Sequence, residues 1–215
     1  MSKKLKSLFA MLAFLFVAAC PSMAQVSGPV RFTQERERVP AAGNVPTLGC
    51  CRCLGGSNSL DLSTIASNNW TVNGNPVAFL TAIHPAWDFS PGTAQWVSTV
   101  ATGGTGSVAP GLYDYKLKFV VPNCAIEQRV TISGRFGGDD DVLSLALENI
   151  GTSAVIPLGS CSGGWCFNTA NNSNPRTFSS INVPPGAYYL RMKIQNSGGP
   201  SGMFVNAKLT STCRN

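Results

Sequence analysis

The sequence predicts an all-β protein, an antiparallel β-sandwich of one domain carrying disulfides, and three observations predict it. Apolar and polar residues alternate with period two over long stretches, apolar residues nowhere recur at helical spacing over a helical length, and glycine and proline punctuate the chain. With 22 glycines and 14 prolines among 215 residues, few stretches are left long enough for a helix, whereas short strands between turns are unhindered.

The first element is a leader over residues 1–24. Lys3, Lys4 and Lys6 precede an apolar run over 8–19 and a polar stretch ending Ser22-Met23-Ala24, the pattern of a secretory signal peptide. The run has about twelve apolar residues, short of the roughly twenty that cross a bilayer, and no second run follows, so no transmembrane segment is expected. Val17-Ala18-Ala19-Cys20 also resembles the lipobox of bacterial lipoproteins, in which the cysteine is acylated. The Ser-Met-Ala site is favoured because the apolar run stops at Ala19 and leaves a polar cleavage region of ordinary length, but lipidation at Cys20 stays open. Either route exports the protein to the periplasm, the cell surface or the medium.

Next comes a flexible arm over 25–49, without sustained period and rich in breakers at Val39-Pro40-Ala41-Ala42-Gly43-Asn44-Val45-Pro46. The sandwich domain is expected over 50–215. Its clearest strand is 111–121, where Tyr113, Tyr115, Leu117, Phe119 and Val121 alternate with Asp114, Lys116 and Lys118. The alternation returns in 128–136 with Val130, Ile132 and Phe136 inward, and again with Leu143, Leu145 and Leu147. Near the end, Tyr188, Leu190, Met192 and Ile194 alternate with Tyr189, Arg191 and Lys193, and then Met203, Val205, Ala207 and Leu209 with Asn206 and Lys208. The glycines of 196–202 supply the positive φ of a turn between those two strands. Shorter strands are expected at 60–65, 77–81, 95–100, 155–158 and 178–183. Roughly ten strands with turns between them point to two antiparallel sheets packed face to face.

Charge excludes one class of partner. Three of the 16 basic residues lie in the leader, so 13 face 10 acidic residues and the remainder carries only +3. Lysines and arginines are scattered singly, apart from Glu35-Arg36-Glu37-Arg38, and form no basic stripe of the kind nucleic acid requires.

Seven cysteines survive leader removal: Cys50, Cys51, Cys53, Cys124, Cys161, Cys166 and Cys213. In an exported chain they read as disulfides, with one left over. Cys161 with Cys166, across Ser-Gly-Gly-Trp, is the one pairing the spacing favours; the others stay unassigned. Cys50-Cys51-Arg52-Cys53 is too tightly spaced for a zinc knuckle and has no second pair.

A set of motifs adds a resemblance. Trp70, Pro91-Gly92-Thr93-Ala94-Gln95-Trp96-Val97-Ser98, Gly111-x-Tyr113-x-Tyr115 with Phe119, and Ile132-Ser133-Gly134 with Asp139-Asp140-Asp141 resemble a recurring bacterial secreted module. Pro185-Gly186-x-Tyr188-Tyr189-Leu190, Asn196 and Gly198-Gly199-Pro200-x-Gly202 look like its closing hairpin. That module is a jelly roll similar to the galactose-binding-like and carbohydrate-binding-module sandwiches, and the resemblance spans roughly 60–210. It implies a jelly-roll fold and, as such modules serve, sugar binding, adhesion or a structural role. The module commonly shows an aspartate-asparagine pair and a strand ending in Asn-Gly, where this chain has three aspartates and Glu148-Asn149-Ile150-Gly151.

Three groups of residues are candidate sites. Asp139, Asp140 and Asp141, with Asn149 or a carbonyl completing the shell, have the hard oxygens of a calcium site, against the competing reading of a solvated turn. Of the four tryptophans, Trp96 reads as core, while Trp87, in the turn-like His84-Pro85-Ala86-Trp87-Asp88, and Trp165, at the tip of the Cys161–Cys166 loop, are candidate ligand platforms. Catalysis lacks parts: His84 is the single histidine and lies in no nucleophile context, and a glycosidase pair would have to come from Asp88, Asp114, Asp139, Asp140, Asp141 and Glu148. The expected function is a secreted non-catalytic module binding carbohydrate or a cell-surface polymer. The alternatives are a structural or assembly protein of the cell envelope, held to an envelope protein by the arm, the odd cysteine or a lipid on Cys20, and a hydrolase.

Overall fold

The alternating stretches become strands of two antiparallel sheets in the computed structural model, which describes residues 45–51, 55–65, 69–87, 92–163, 166–167 and 176–213. In chain order the strands are β1 (Ser57–Asp61), β2 (Thr71–Val72), β3 (Asn75–Pro76), β4 (Ala78–Phe79), β5 (Val97–Ser98), β6 (Gly111–Val121), β7 (Gln128–Asp139), β8 (Asp141–Asn149), β9 (Val155–Cys161), β10 (Thr177–Asn182), β11 (Gly186–Asn196) and β12 (Gly202–Cys213). The described residues all belong to one compact unit, Gln34–Asn215. The leader, Cys20, Cys53 and Trp165 lie outside the described residues.

The first sheet has the order β10-β7-β12-β5-β4, with β1 also on β12. β12 is its spine: one edge pairs with β7 from Gly202↔Asp139 to Cys213↔Gln128, and the other is shared between β1 and β5. The second sheet has the order β3-β2-β6-β11-β8-β9. There β11 lies between β6, in unbroken register from Gly186↔Val121 to Asn196↔Gly111, and β8. Consecutive strands therefore mostly change sheet across short connections, and the long paired strands β6 with β11 and β7 with β12 are distant in sequence.

Period two explains what lies between the sheets. Tyr115, Leu117, Phe119 and Val121 from β6 and Tyr188, Leu190, Met192 and Ile194 from β11 meet Val130, Ile132 and Phe136 from β7 and Met203, Val205, Ala207 and Leu209 from β12 in one buried core. Each side chain removed from water contributes about 1.5–3 kcal/mol before conformational entropy is set against it. The buried Tyr115 phenol is pushed above its usual pKa by desolvation, which outweighs its hydrogen bond with Ser98.

Three sequence expectations change. Leu143 is 50 % exposed, because β8 carries an extra residue where its register with β11 shifts at Lys193/Ile194; Val142 takes the inward place instead. Residues 196–202 do not close a hairpin: β11 belongs to the second sheet and β12 to the first, so the turn, with Gly198 and Gly199 at φ 116° and 90°, carries the chain across the sandwich. The arm expected over 25–49 ends short of 49, because Leu48 is 1 % exposed and its N–H donates to the Val120 carbonyl, beside a bridge from Thr47 to Val120.

Disulfides join Cys50 to Cys124, Cys51 to Cys213 and, as the spacing favours, Cys161 to Cys166. The first two tie the entry of the domain to the β6–β7 connection and to the end of β12 across separations of 74 and 162 residues. Loop-closure entropy makes such links worth about 4–5 kcal/mol each, against about 2 kcal/mol for the short Cys161–Cys166 loop.

Candidate functional site

The two outer faces of the sandwich are built differently, and each bears on the sequence-predicted sites. On the first sheet, Phe204 points outward from β12, and the segment before β5 folds over it. Trp96 packs edge-on against Phe204 at 5.0 Å between centroids, Trp87 stacks on Trp96 at 4.3 Å, and Ala94 completes the buried cluster. The Arg135 guanidinium lies 5.9 Å from the Phe204 centroid. Trp96 is core, as its strand-like setting predicts. Trp87 is corrected from ligand platform to core: it is 2 % exposed, its ring is covered by Trp96, and its indole N–H is spent on Asp139 Oδ2 at 3.0 Å.

Asp139 ends β7 where the chain leaves the first sheet for β8 in the second. Gly138 precedes it because a Cβ there would stand 2.7 Å from Ile194 Cδ1 and 2.9 Å from Val142 Cγ2, side chains of the opposite sheet. At 6 % exposure the Asp139 carboxyl is pushed up to about 8, chiefly by desolvation and then by the hydrogen bond and charge of Asp140, with the Trp87 N–H pulling the other way. This shift favours the protonated form of Asp139, and the Ser201 hydroxyl donates to its backbone carbonyl at 3.0 Å.

The calcium site expected from the acidic run does not assemble. Asp139 turns into the protein, Asp140 Oδ2 accepts the Ser197 N–H at 2.7 Å, and Asn149 sits at the far end of β8 from Asp141. Eight residues of extended chain place Asn149 roughly 25 Å away. Its Oδ1 instead accepts the N–H groups of Gly151 and Thr152, capping the turn into β9. Among the described residues, no group of three or more His, Cys, Asp or Glu side chains is placed to hold a metal ion.

The outer face of the second sheet is bare of any such covering segment among the described residues and carries a different set of side chains. Full register between β6 and β11 sets Lys116 opposite Arg191, Asp114 opposite Lys193 and Lys118 opposite Tyr189, and β8 sets Glu148 on the other side of Tyr189. Arg191 is the hub. Its Nε and Nη2 donate to the two oxygens of Asp114 at 2.7 and 2.8 Å, and its Nη1 donates to Glu148 Oε2 at 2.7 Å. The Asp114 bond above all, opposed by partial burial and reinforced by Glu148, holds the guanidinium pKa above its ordinary value. Lys116 Nζ reaches Asp114 at 3.4 Å and lies 5.5 Å from the Tyr189 centroid. Against this array runs an open groove of about 390 Å³, lined by the apolar Leu143, Ala146, Val155 and Pro157 together with Glu148, Arg191 and Lys193. Leu143 and Val155 are 50 % and 60 % exposed.

The structure brings together residues that sequence reading assigned only to the wet sides of separate strands. The signal was present in Asp114, Lys116 and Lys118 on one strand and Tyr189, Arg191 and Lys193 on another. What links them is the pairing of strands separated by four others in chain order, which no local pattern encodes. The two candidate carboxylates Asp114 and Glu148 do come near one another, each engaged on the same guanidinium.

No protein-family model and no curated protein matches the chain. Among solved structures it matches a mutant of a family 29 carbohydrate-binding module, at 13 % identity with a TM-score of 0.28, over 67 % of this chain and 93 % of that one.

Proposed function

We propose that the protein is an exported, non-catalytic module that binds carbohydrate on the outer face of the second sheet. The observation that carries the reading is the Asp114–Arg191–Glu148 array, fixed by three short hydrogen bonds on an open strand face beside an apolar groove. A sugar ring presents hydroxyls around its rim and C–H groups on its faces. A binding surface for it pairs oriented donors and acceptors with apolar area, and the array and the groove supply both. Because Arg191 is held on both sides, its guanidinium and the outer oxygens of its partners are oriented before a ligand arrives, which lowers the ordering cost of binding. The disulfides fit an oxidising, extracytoplasmic compartment.

The test is binding of the protein, purified after export, to a panel of soluble and insoluble polysaccharides, alongside Arg191→Ala. Saturable binding that falls at least about tenfold in the variant, with the melting temperature nearly unchanged, is the expected result. Equal binding by Arg191→Ala would move the site elsewhere, with Trp165→Ala the next variant.

Envelope assembly is the second reading, favoured by the cysteine count. Three disulfides use six of the seven cysteines that follow the leader, which leaves Cys53 in the sequence for a bond to another chain. A non-reducing gel of the exported protein showing only monomer, and a Cys53→Ser variant indistinguishable from it, would remove that support.

A further inference from the structure

We infer that the polymer held on the outer face of the second sheet is an anionic polysaccharide, one bearing carboxylate, sulfate or phosphate groups along its chain; this rests on the carbohydrate reading above. The face displays four cationic side chains, Lys116, Lys118, Arg191 and Lys193, which the β6–β11 register places on neighbouring strands. Asp114 and Glu148 are the carboxylates among them, and both are already engaged: Asp114 by Arg191 and Lys116, Glu148 by Arg191. Asp141, in register with Gln195 at the end of the face, has interactions of its own. Among the described residues, the ion pairs formed include none at Lys118 or Lys193.

Those two ammonium groups decide the class of ligand. Lys118 stands opposite Tyr189, and Lys193 lies four residues further along β11, so roughly 13 Å of strand separates them, with the Arg191 array between. Neither lysine is drawn into the three ion pairs of the array, and a neutral glycan has no use for two such charges flanking its contact surface. A polymer with a repeating anion meets both while its rings lie over Arg191 and the groove. The same charges draw such a polymer in from solution, an attraction that salt screens.

The experiment uses the exported protein and compares binding of polygalacturonate, alginate and dextran sulfate, with polyphosphate as an anion that carries no sugar, with that of uncharged galactomannan and β-glucan, at low and high salt. The charged polysaccharides are expected to bind at least about tenfold more tightly, an advantage that shrinks as salt rises. Lys118→Gln with Lys193→Gln is expected to remove about tenfold of the affinity, and Lys118→Arg with Lys193→Arg to retain it. Neutral polymers bound as tightly as charged ones overturn the inference and leave the carbohydrate reading standing. Binding to none of these polysaccharides, charged or neutral, overturns both. Uronate binding unchanged in the double glutamine variant, or polyphosphate bound as tightly as uronate, shows that the lysines do not select a charged sugar and overturns the inference as well.

Discussion

β12 turns Phe204 outward from the first sheet, and β11 turns Tyr189 and Arg191 outward from the second, yet the two faces end in opposite states. Over Phe204 the chain lays Trp96, Trp87 and Ala94, making a second small core in which the Trp87 N–H is met by Asp139. Over Arg191 it lays nothing among the described residues, and the polar groups there satisfy one another in the plane of the sheet. The first face spends its aromatic area on stability. The second keeps its groups oriented and accessible, which is the state a binding surface needs. Substitutions on the covered face should therefore move stability with little effect on binding, and substitutions on the open face the reverse.

The largest effect is expected from Trp96→Ala. Its ring contacts Trp87 on one side and Phe204 on another, and removing it opens a cavity between them. A loss of about 3–5 kcal/mol in urea denaturation is expected, with polysaccharide affinity per folded molecule intact. A loss under about 1 kcal/mol would mean that the covering segment contributes little and that the contrast between faces is wrong.

A pH dependence sharpens the same contrast, because the buried acid belongs to the covered face alone. Unfolded, Asp139 titrates near pH 4; folded, it is pushed up to about 8. Between those values the folded protein holds a proton that the unfolded chain has released. Its stability contribution is therefore full below about pH 4 and is lost as pH rises through about 8, a change on the order of a few kcal/mol. Asp139→Asn keeps an acceptor for the Trp87 N–H and removes the proton, so the variant's stability should change less with pH over this window than the wild type's. Identical pH slopes for the two proteins, from denaturation at pH 5 and pH 8, would rule the explanation out. Gly138→Ala is expected to cost about 1–3 kcal/mol by the same denaturation assay, since its methyl would press on Ile194 and Val142.

How far these differences were readable in the sequence depends on the range of the cause. The sandwich was legible because alternation is local: Leu117, Phe119, Leu190 and Met192 are inward by parity alone, and all are buried. Leu143 escaped because a bulge breaks parity without a sequence mark. The crossing of the chain at 196–202 was read as a hairpin because a glycine turn looks the same whether the next strand joins the same sheet or the facing one. Trp87 was misread for a related reason. A tryptophan in a turn is exposed unless something covers it, and what covers it is Trp96, nine positions on, with Phe204 beneath. The polar array was least legible, since Asp114, Glu148 and Arg191 are each ordinary wet-side residues and become an array only when β6, β11 and β8 lie side by side.

The smallest stability effect is expected where the structure shows its densest polar contacts. Asp114 accepts two hydrogen bonds from Arg191 and pairs with Lys116, so a count of contacts would rank it among the most important side chains. All three groups are about a quarter exposed, however, with side-chain exposures of 21–29 %. Water competes for each charge, and the unfolded chain already solvates them well. Asp114→Asn keeps the size and one acceptor, so the change in unfolding free energy should stay below about 1 kcal/mol and shrink further with salt. Polysaccharide affinity should fall all the same, because the guanidinium loses the bidentate partner that fixes its plane. A stability loss above about 2 kcal/mol with binding unchanged would reverse the assignment of the two faces, making the array a structural clamp and the covered side the place to look for the ligand.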